Sequence, residues 1–121
     1  MKILVCITHV PDTTSKISFL DQDTVFDKTG VQFIIGPYDD YALARAVELK
    51  EQLGGSITAL NVGLAETEPT IRKALAIGAD EAIRINAEPK DAFFVAHQIF
   101  QVVKGGDYDL ILMGRESIDF N

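Results

Sequence analysis

Four strand-like runs alternate with helical patterns along the 121 residues. Ile3 to Val10 is almost wholly apolar and rich in β-branched residues, the pattern of a strand covered on both faces. Ser56 to Val62 reads the same way, Glu81 to Asn86 alternates polar and apolar like a strand with one wetter face, and Asp109 to Met113 is the fourth. Between them run three amphipathic stretches. The first follows Gly36-Pro37, with Asp39 or Asp40 available as a cap, and puts Ala42, Ala46, Leu49 and Leu53 on one face before Gly54-Gly55. The second has Pro69 in its first turn and Ile71, Ala74 and Leu75 as its stripe up to Gly78. The third starts at Asp91, faces Ala92, Val95, Ala96, Ile99 and Val103 inward, and stops at Gly105-Gly106.

The segment from Lys16 to Ile35 breaks this rhythm. Lys16–Phe19 and Thr24–Phe26 flank a polar turn, and Lys28-Thr29-Gly30 turns again into Val31–Ile35, which predicts a small antiparallel hairpin or meander after the first strand. Strands alternating with helices at this spacing imply right-handed βαβ units. The predicted fold class is therefore α/β: a three-layer, Rossmann-like parallel sheet with helices on both faces. Residues 1–121 read as a single nucleotide-binding domain that is incomplete at its carboxyl end, because no fifth strand covers the fourth.

Composition narrows the function classes. A hydrophobic content of 47% fits a packed core. No apolar run approaches the ~20 residues that span a bilayer, so no direct membrane insertion is expected. The start Met1-Lys2-Ile3-Leu4-Val5 lacks signal-peptide features, and the lone cysteine fits a reducing compartment; both lead to a cytoplasmic expectation. The net charge of −7 disfavours nucleic acid as a partner. A bound phosphate would need local donors: backbone N–H groups, a helix start, or a single arginine.

Catalytic and metal motifs do not emerge. His9 and His97 lack metal-ligand spacing, and Cys6 sits mid-strand among apolar residues with no basic neighbour in sequence. Thr8-His9-Val10-Pro11-Asp12 stands where a Gly-x-Gly-x-x-Gly loop would follow the first strand, and no Walker-type loop or nucleophile elbow occurs. Catalytic and metal-ligating residues are therefore both predicted to be none. A ring of strand-end loops remains: Thr8-His9, Gly36-Pro37-Tyr38-Asp39, Val62-Gly63 and Gly114 to Asn121. Its glycines allow backbone to approach a ligand, although turn-forming glycines give the same pattern.

Those residues carry a resemblance. Met1–Cys6 running on to Val10-Pro11-Asp12, Gly36–Leu43, Ile71–Asp80 and Gly114–Asp119 together resemble the amino-terminal half of the β subunit of electron transfer flavoprotein. The resemblance implies a subunit that is not itself catalytic. It implies pairing with an α subunit that holds most of the FAD, electrons drawn from acyl-CoA or other dehydrogenases, and an AMP in this domain, replaced by a second FAD in bifurcating relatives. Carried over by position, the AMP contacts are Cys6, Gly36, Pro37, Tyr38, Asp39, Val62, Gly114, Arg115, Glu116, Ser117, Ile118 and Asp119. A strand order of 3-2-1-4 is expected, with the crevice between the first and fourth strands.

Two departures stand out. Many relatives have Asn-Pro where this chain has Gly36-Pro37, and the family's phosphate-binding stretch would start at Asn121, so weak AMP binding is expected from these residues alone. Readings from other classes are an adenylating or ATP-pyrophosphatase domain and a stress-type ATP-binding domain. The first of these needs a Ser-Gly-Gly-type loop after the first strand, which this chain lacks.

Overall fold

The computed structural model describes residues 1–11 and 33–115, together with the backbone of 18–20 and 25–27. In chain order the strands and helices are β1 (Lys2–Cys6), β2 (His9–Pro11), β3 (Ser18–Leu20), β4 (Val25–Asp27), β5 (Phe33–Ile35), α1 (Pro37–Leu53), β6 (Ser56–Gly63), α2 (Glu68–Ile77), β7 (Glu81–Asn86), α3 (Ala92–Val103) and β8 (Leu110–Met113). The main sheet is parallel, in the order β7-β6-β1-β8. This is the expected 3-2-1-4 arrangement, and the α/β class is as the periodicity predicted.

β1 is the spine. Ile3, Leu4 and Val5 are completely buried, with Ile3 and Val5 facing one layer and Leu4 and Cys6 the other. The first layer packs Leu43 and Ala46 of α1 and Ile71 and Ala74 of α2 against Ile57 and Ala59. The second packs Leu60 against Ile99, Val102 and Val103 of α3. Alternate side chains of a strand point to opposite faces, so a continuous apolar run was the only pattern that could serve both layers.

The Ile71–Asp80 stretch ends in a bolt at the amino edge of the sheet. The Asp80 carboxylate accepts from the Ile57 N–H at 2.7 Å and from the Lys50 ammonium. These two partners, Lys50 first, hold its carboxyl below the usual aspartate range. The bolt joins the end of α1, the start of β6 and the turn before β7, at the amino-terminal end of the parallel strands.

The structure refines three sequence expectations. The run Ile3–Val10 is two strands, because it breaks at Ile7-Thr8. The Ile7 N–H still reaches Leu60 O at 2.8 Å, but the Thr8 N–H is diverted to the Asp39 carboxylate at 3.0 Å. Beyond the break, His9–Pro11 pairs antiparallel with Phe33–Ile35, and the inserted hairpin is β3 against β4. Second, the first helix has Gly36 at its N-cap with no side-chain cap, and Asp39 and Asp40 lie inside its first turn. Third, Ala92 and Ala96 of α3 are exposed rather than inward, and Phe93 is 82% exposed. The Asp91 cap is present, its carboxylate accepting from the Phe94 N–H at 2.7 Å.

Candidate functional site: the crevice between β1 and β8

From β1 the chain runs through α1 to β6 and α2 to β7 on one side, then crosses by α3 to β8 on the other. The direction of winding therefore reverses between β1 and β8. Loops leaving their carboxyl ends diverge there, and ligands of open α/β sheets bind at such a point.

Three segments meet at this crevice. Thr8 follows β1, Gly114 follows β8, and the Gly36-Pro37-Tyr38-Asp39 turn opens α1. Asp39 joins them. Its Oδ2 accepts from the Thr8 N–H at 3.0 Å and from the Thr8 hydroxyl, and its Oδ1 accepts from the Gly114 N–H at 2.9 Å. The Gly36 N–H closes the ring by donating to Thr8 O at 3.1 Å. Asp39 is only 5% exposed, and burial raises its carboxyl above the usual aspartate range, against the downward pull of its Thr8 and Gly114 donors. On acidification it takes up a proton before an unfolded aspartate does. The cost of burying its charge is thus fully present at neutral pH and is relieved as pH falls through the raised value.

At the outer edge the Arg115 guanidinium lies 4.8 Å from the centroid of the Tyr38 ring and donates to the Tyr38 hydroxyl at 2.8 Å. A cation held over an aromatic face in this way is partly ordered by the protein itself. On the β6 side, Gly63 O accepts from Arg84 at 3.1 Å, and the Asn61 amide donates to Ile7 O at 3.0 Å, extending the β1–β6 contact past the ladder. Of the sequence-predicted contacts, Gly36, Pro37, Tyr38, Asp39, Gly114 and Arg115 therefore come together, Cys6 lies at the end of β1, and Val62 stands on the neighbouring strand β6. Glu116, Ser117, Ile118 and Asp119 lie outside the described residues. The sequence names Thr8 only within the Thr8-His9 strand-end loop, with no contact assigned to it, and does not single out Asn61. A β-branched hydroxyl at the end of an apolar run, facing an acid in a helix start, is the signal that would have found Thr8.

The sequence pattern described as the electron transfer flavoprotein domain matches residues 23–121. This chain belongs to the electron transfer flavoprotein family. It is 38% identical, over 98% of its length, to the electron transfer flavoprotein subunit beta of Bacillus subtilis, covering 47% of that protein. It is 34% identical over 98% of its length to the subunit beta of Thermoanaerobacterium thermosaccharolyticum, covering 46% of it. The acryloyl-CoA reductase electron transfer subunit gamma of Anaerotignum propionicum is 32% identical over the same share of the chain, 46% of its own length. The chain thus spans about half the length of the curated relatives it matches.

In this member of the electron transfer flavoprotein family the one thiol, Cys6, is buried at the end of β1. Burial first, and the Asp39 charge second, push Cys6 up to about 11. Only the thiolate reacts, and at pH 8 the native chain holds about 100-fold less of it than the unfolded chain. Alkylation of the native chain by iodoacetamide at pH 8 is expected to be at least that much slower than in urea. Native and unfolded rates within tenfold of each other would show that Cys6 is not held as described. Among the described residues no group of His, Cys, Asp and Glu is arranged to hold a metal ion, and no helix is long and apolar enough to cross a membrane.

Proposed function

We propose that this chain supplies the nucleotide-binding part of an electron transfer flavoprotein β subunit. It takes the adenosine end of AMP into the crevice between β1 and β8, or of a second FAD in a bifurcating system. The subunit pairs with an α subunit holding the working FAD, which receives electrons from acyl-CoA or other dehydrogenases and passes them on. It has no catalytic residue of its own and works from the cytoplasm.

One observation carries this reading: the winding reversal of the sheet coincides with the Thr8–Asp39–Gly114 junction, in a chain whose curated relatives are named as electron transfer subunits. The chemistry is consistent with it. A purine offers neutral donors and acceptors that strand-end backbone groups can meet, and Arg115 is a cation at the same mouth, suited to a phosphate or ribose edge. The contacts assigned to Cys6, Val62, Gly36, Pro37 and Tyr38 belong to the same reading, as do those of Glu116 to Asp119.

Titration of the nitrogen-15-labelled chain with AMP tests it. Amide shifts are expected at Thr8, Gly36, Gly63 and Gly114, saturating with a Kd on the order of 1 mM, about −4 kcal/mol. Shifts confined to the opposite end of the sheet, around Asp80 and Ser56, would refute the placement. So would an identical response to inorganic phosphate without the nucleoside.

A further inference from the structure

We propose that Asp39 is a positioning residue of the crevice, fixing the separation of the Thr8 and Gly114 loops rather than touching a nucleotide. The inference rests on the nucleotide reading above. It changes the role that resemblance assigned to Asp39, that of a direct contact.

The geometry points this way on three counts. First, three donors from two different loops converge on one carboxylate, so three of its four acceptor positions are used within the protein. Second, the residue is 5% exposed, while Tyr38 beside it is half-buried and Arg115 is exposed. A ligand meets those two first. Third, both glycines flanking the carboxylate are closed to any side chain. A Cβ on Gly36 would lie 2.3 Å from the Thr8 hydroxyl oxygen and 2.6 Å from Asp39 Oδ2, and one on Gly114 would lie 2.4 Å from Asp39 Oδ1. The backbones of both turns are thus drawn onto the carboxylate at a distance only glycine permits.

Only a carboxylate satisfies this arrangement. An asparagine offers a single oxygen, so its amide nitrogen must face the N–H of either Thr8 or Gly114, and one loop loses its anchor. Because the two loops form opposite walls of the crevice, losing either anchor alters its width without removing any group that a nucleotide contacts.

The test compares the wild-type chain, Asp39→Asn and Ile71→Val, a core change of modest stability cost in α2 that removes none of the hydrogen bonds to Asp39. AMP affinity and the amide exchange rates of Thr8 and Gly114 are read at a temperature where all three are folded. Asp39→Asn is expected to weaken AMP about tenfold, the equivalent of one lost hydrogen bond, with one site per chain retained and faster exchange at Gly114 or Thr8. Ile71→Val should match wild type. Unchanged affinity and exchange in Asp39→Asn would overturn the proposal, as would equal weakening in Ile71→Val, which signals general destabilisation.

Should Asp39→Asn not fold, Thr8→Val removes one donor at nearly constant shape. It is expected to weaken AMP about threefold, with Thr8→Ser restoring it; equal affinity in all three would overturn the proposal. If wild type binds no AMP, the nucleotide reading fails and the exchange data decide the positioning role alone. Faster Gly114 or Thr8 exchange in Asp39→Asn upholds it, and unchanged exchange removes it.

Discussion

Leu43→Ala is expected to lower the stability of the chain by about 3 kcal/mol, within the 2–5 kcal/mol span of large core truncations. Leu43 is completely buried on α1, where it packs in the layer shared by Ile3, Val5 and Ile57. The layer is built from rigid β-branched strand residues, which have few rotamers with which to collapse into the space left behind. The loss therefore combines the transfer term of the deleted methyl groups with a cavity term. In thermal unfolding this corresponds to a fall of roughly 10 °C for a domain of this size. Leu53→Ala on the same helix is the contrast. Leu53 is 62% exposed, and its truncation is expected to stay within about 0.5 kcal/mol. Equal losses at the two positions would show that the α1 interface is not where the structure puts it.

Gly114→Ala is expected to cost about 2 kcal/mol and to weaken AMP further than Asp39→Asn does. The new Cβ would lie 2.4 Å from Asp39 Oδ1, 2.8 Å from the Asp39 backbone nitrogen and 2.8 Å from Tyr38 Cβ. The backbone atom is the decisive one. A flexible side chain could turn away, but the first turn of α1 cannot move without disturbing the Gly36–Thr8 contact as well. Overpacking of this kind costs about 1–3 kcal/mol, and the Gly114 N–H also loses its acceptor. Gly105→Ala serves as the control, since its Cβ would meet nothing closer than Val102 O at 3.9 Å. It should be neutral to within about 0.5 kcal/mol in urea unfolding. A neutral Gly114→Ala would mean that the β8 loop does not rest on Asp39.

The strand and helix pattern was readable because each element carries a periodicity of its own. The apolar run at Ile3 and Leu4 could only be a strand with both faces covered, and the Asp91 cap announced α3. Reading failed where a residue's partner is remote in sequence. Thr8 ends β1 because its N–H goes to a residue 31 positions later, and no local propensity reports that. Helical spacing alone puts Ala92 and Ala96 on the inward face, yet α3 rests on the sheet through Ile99, Val102 and Val103. A small apolar residue is equally at home on either side of a helix, so spacing does not determine its direction.

The site divides along the same line. The glycine-bearing loops are visible in the sequence, and the 3-2-1-4 order that puts the crevice between the first and fourth strands came with the family resemblance. That Asp39 lies at the centre of those loops, with its carboxylate consumed by Thr8 and Gly114, was decided by tertiary structure alone. The physical reason is distance along the chain. Hydrophobic periodicity is a property of neighbours and is fixed locally, whereas a buried carboxylate is satisfied by whichever donors the completed fold brings within hydrogen-bonding reach.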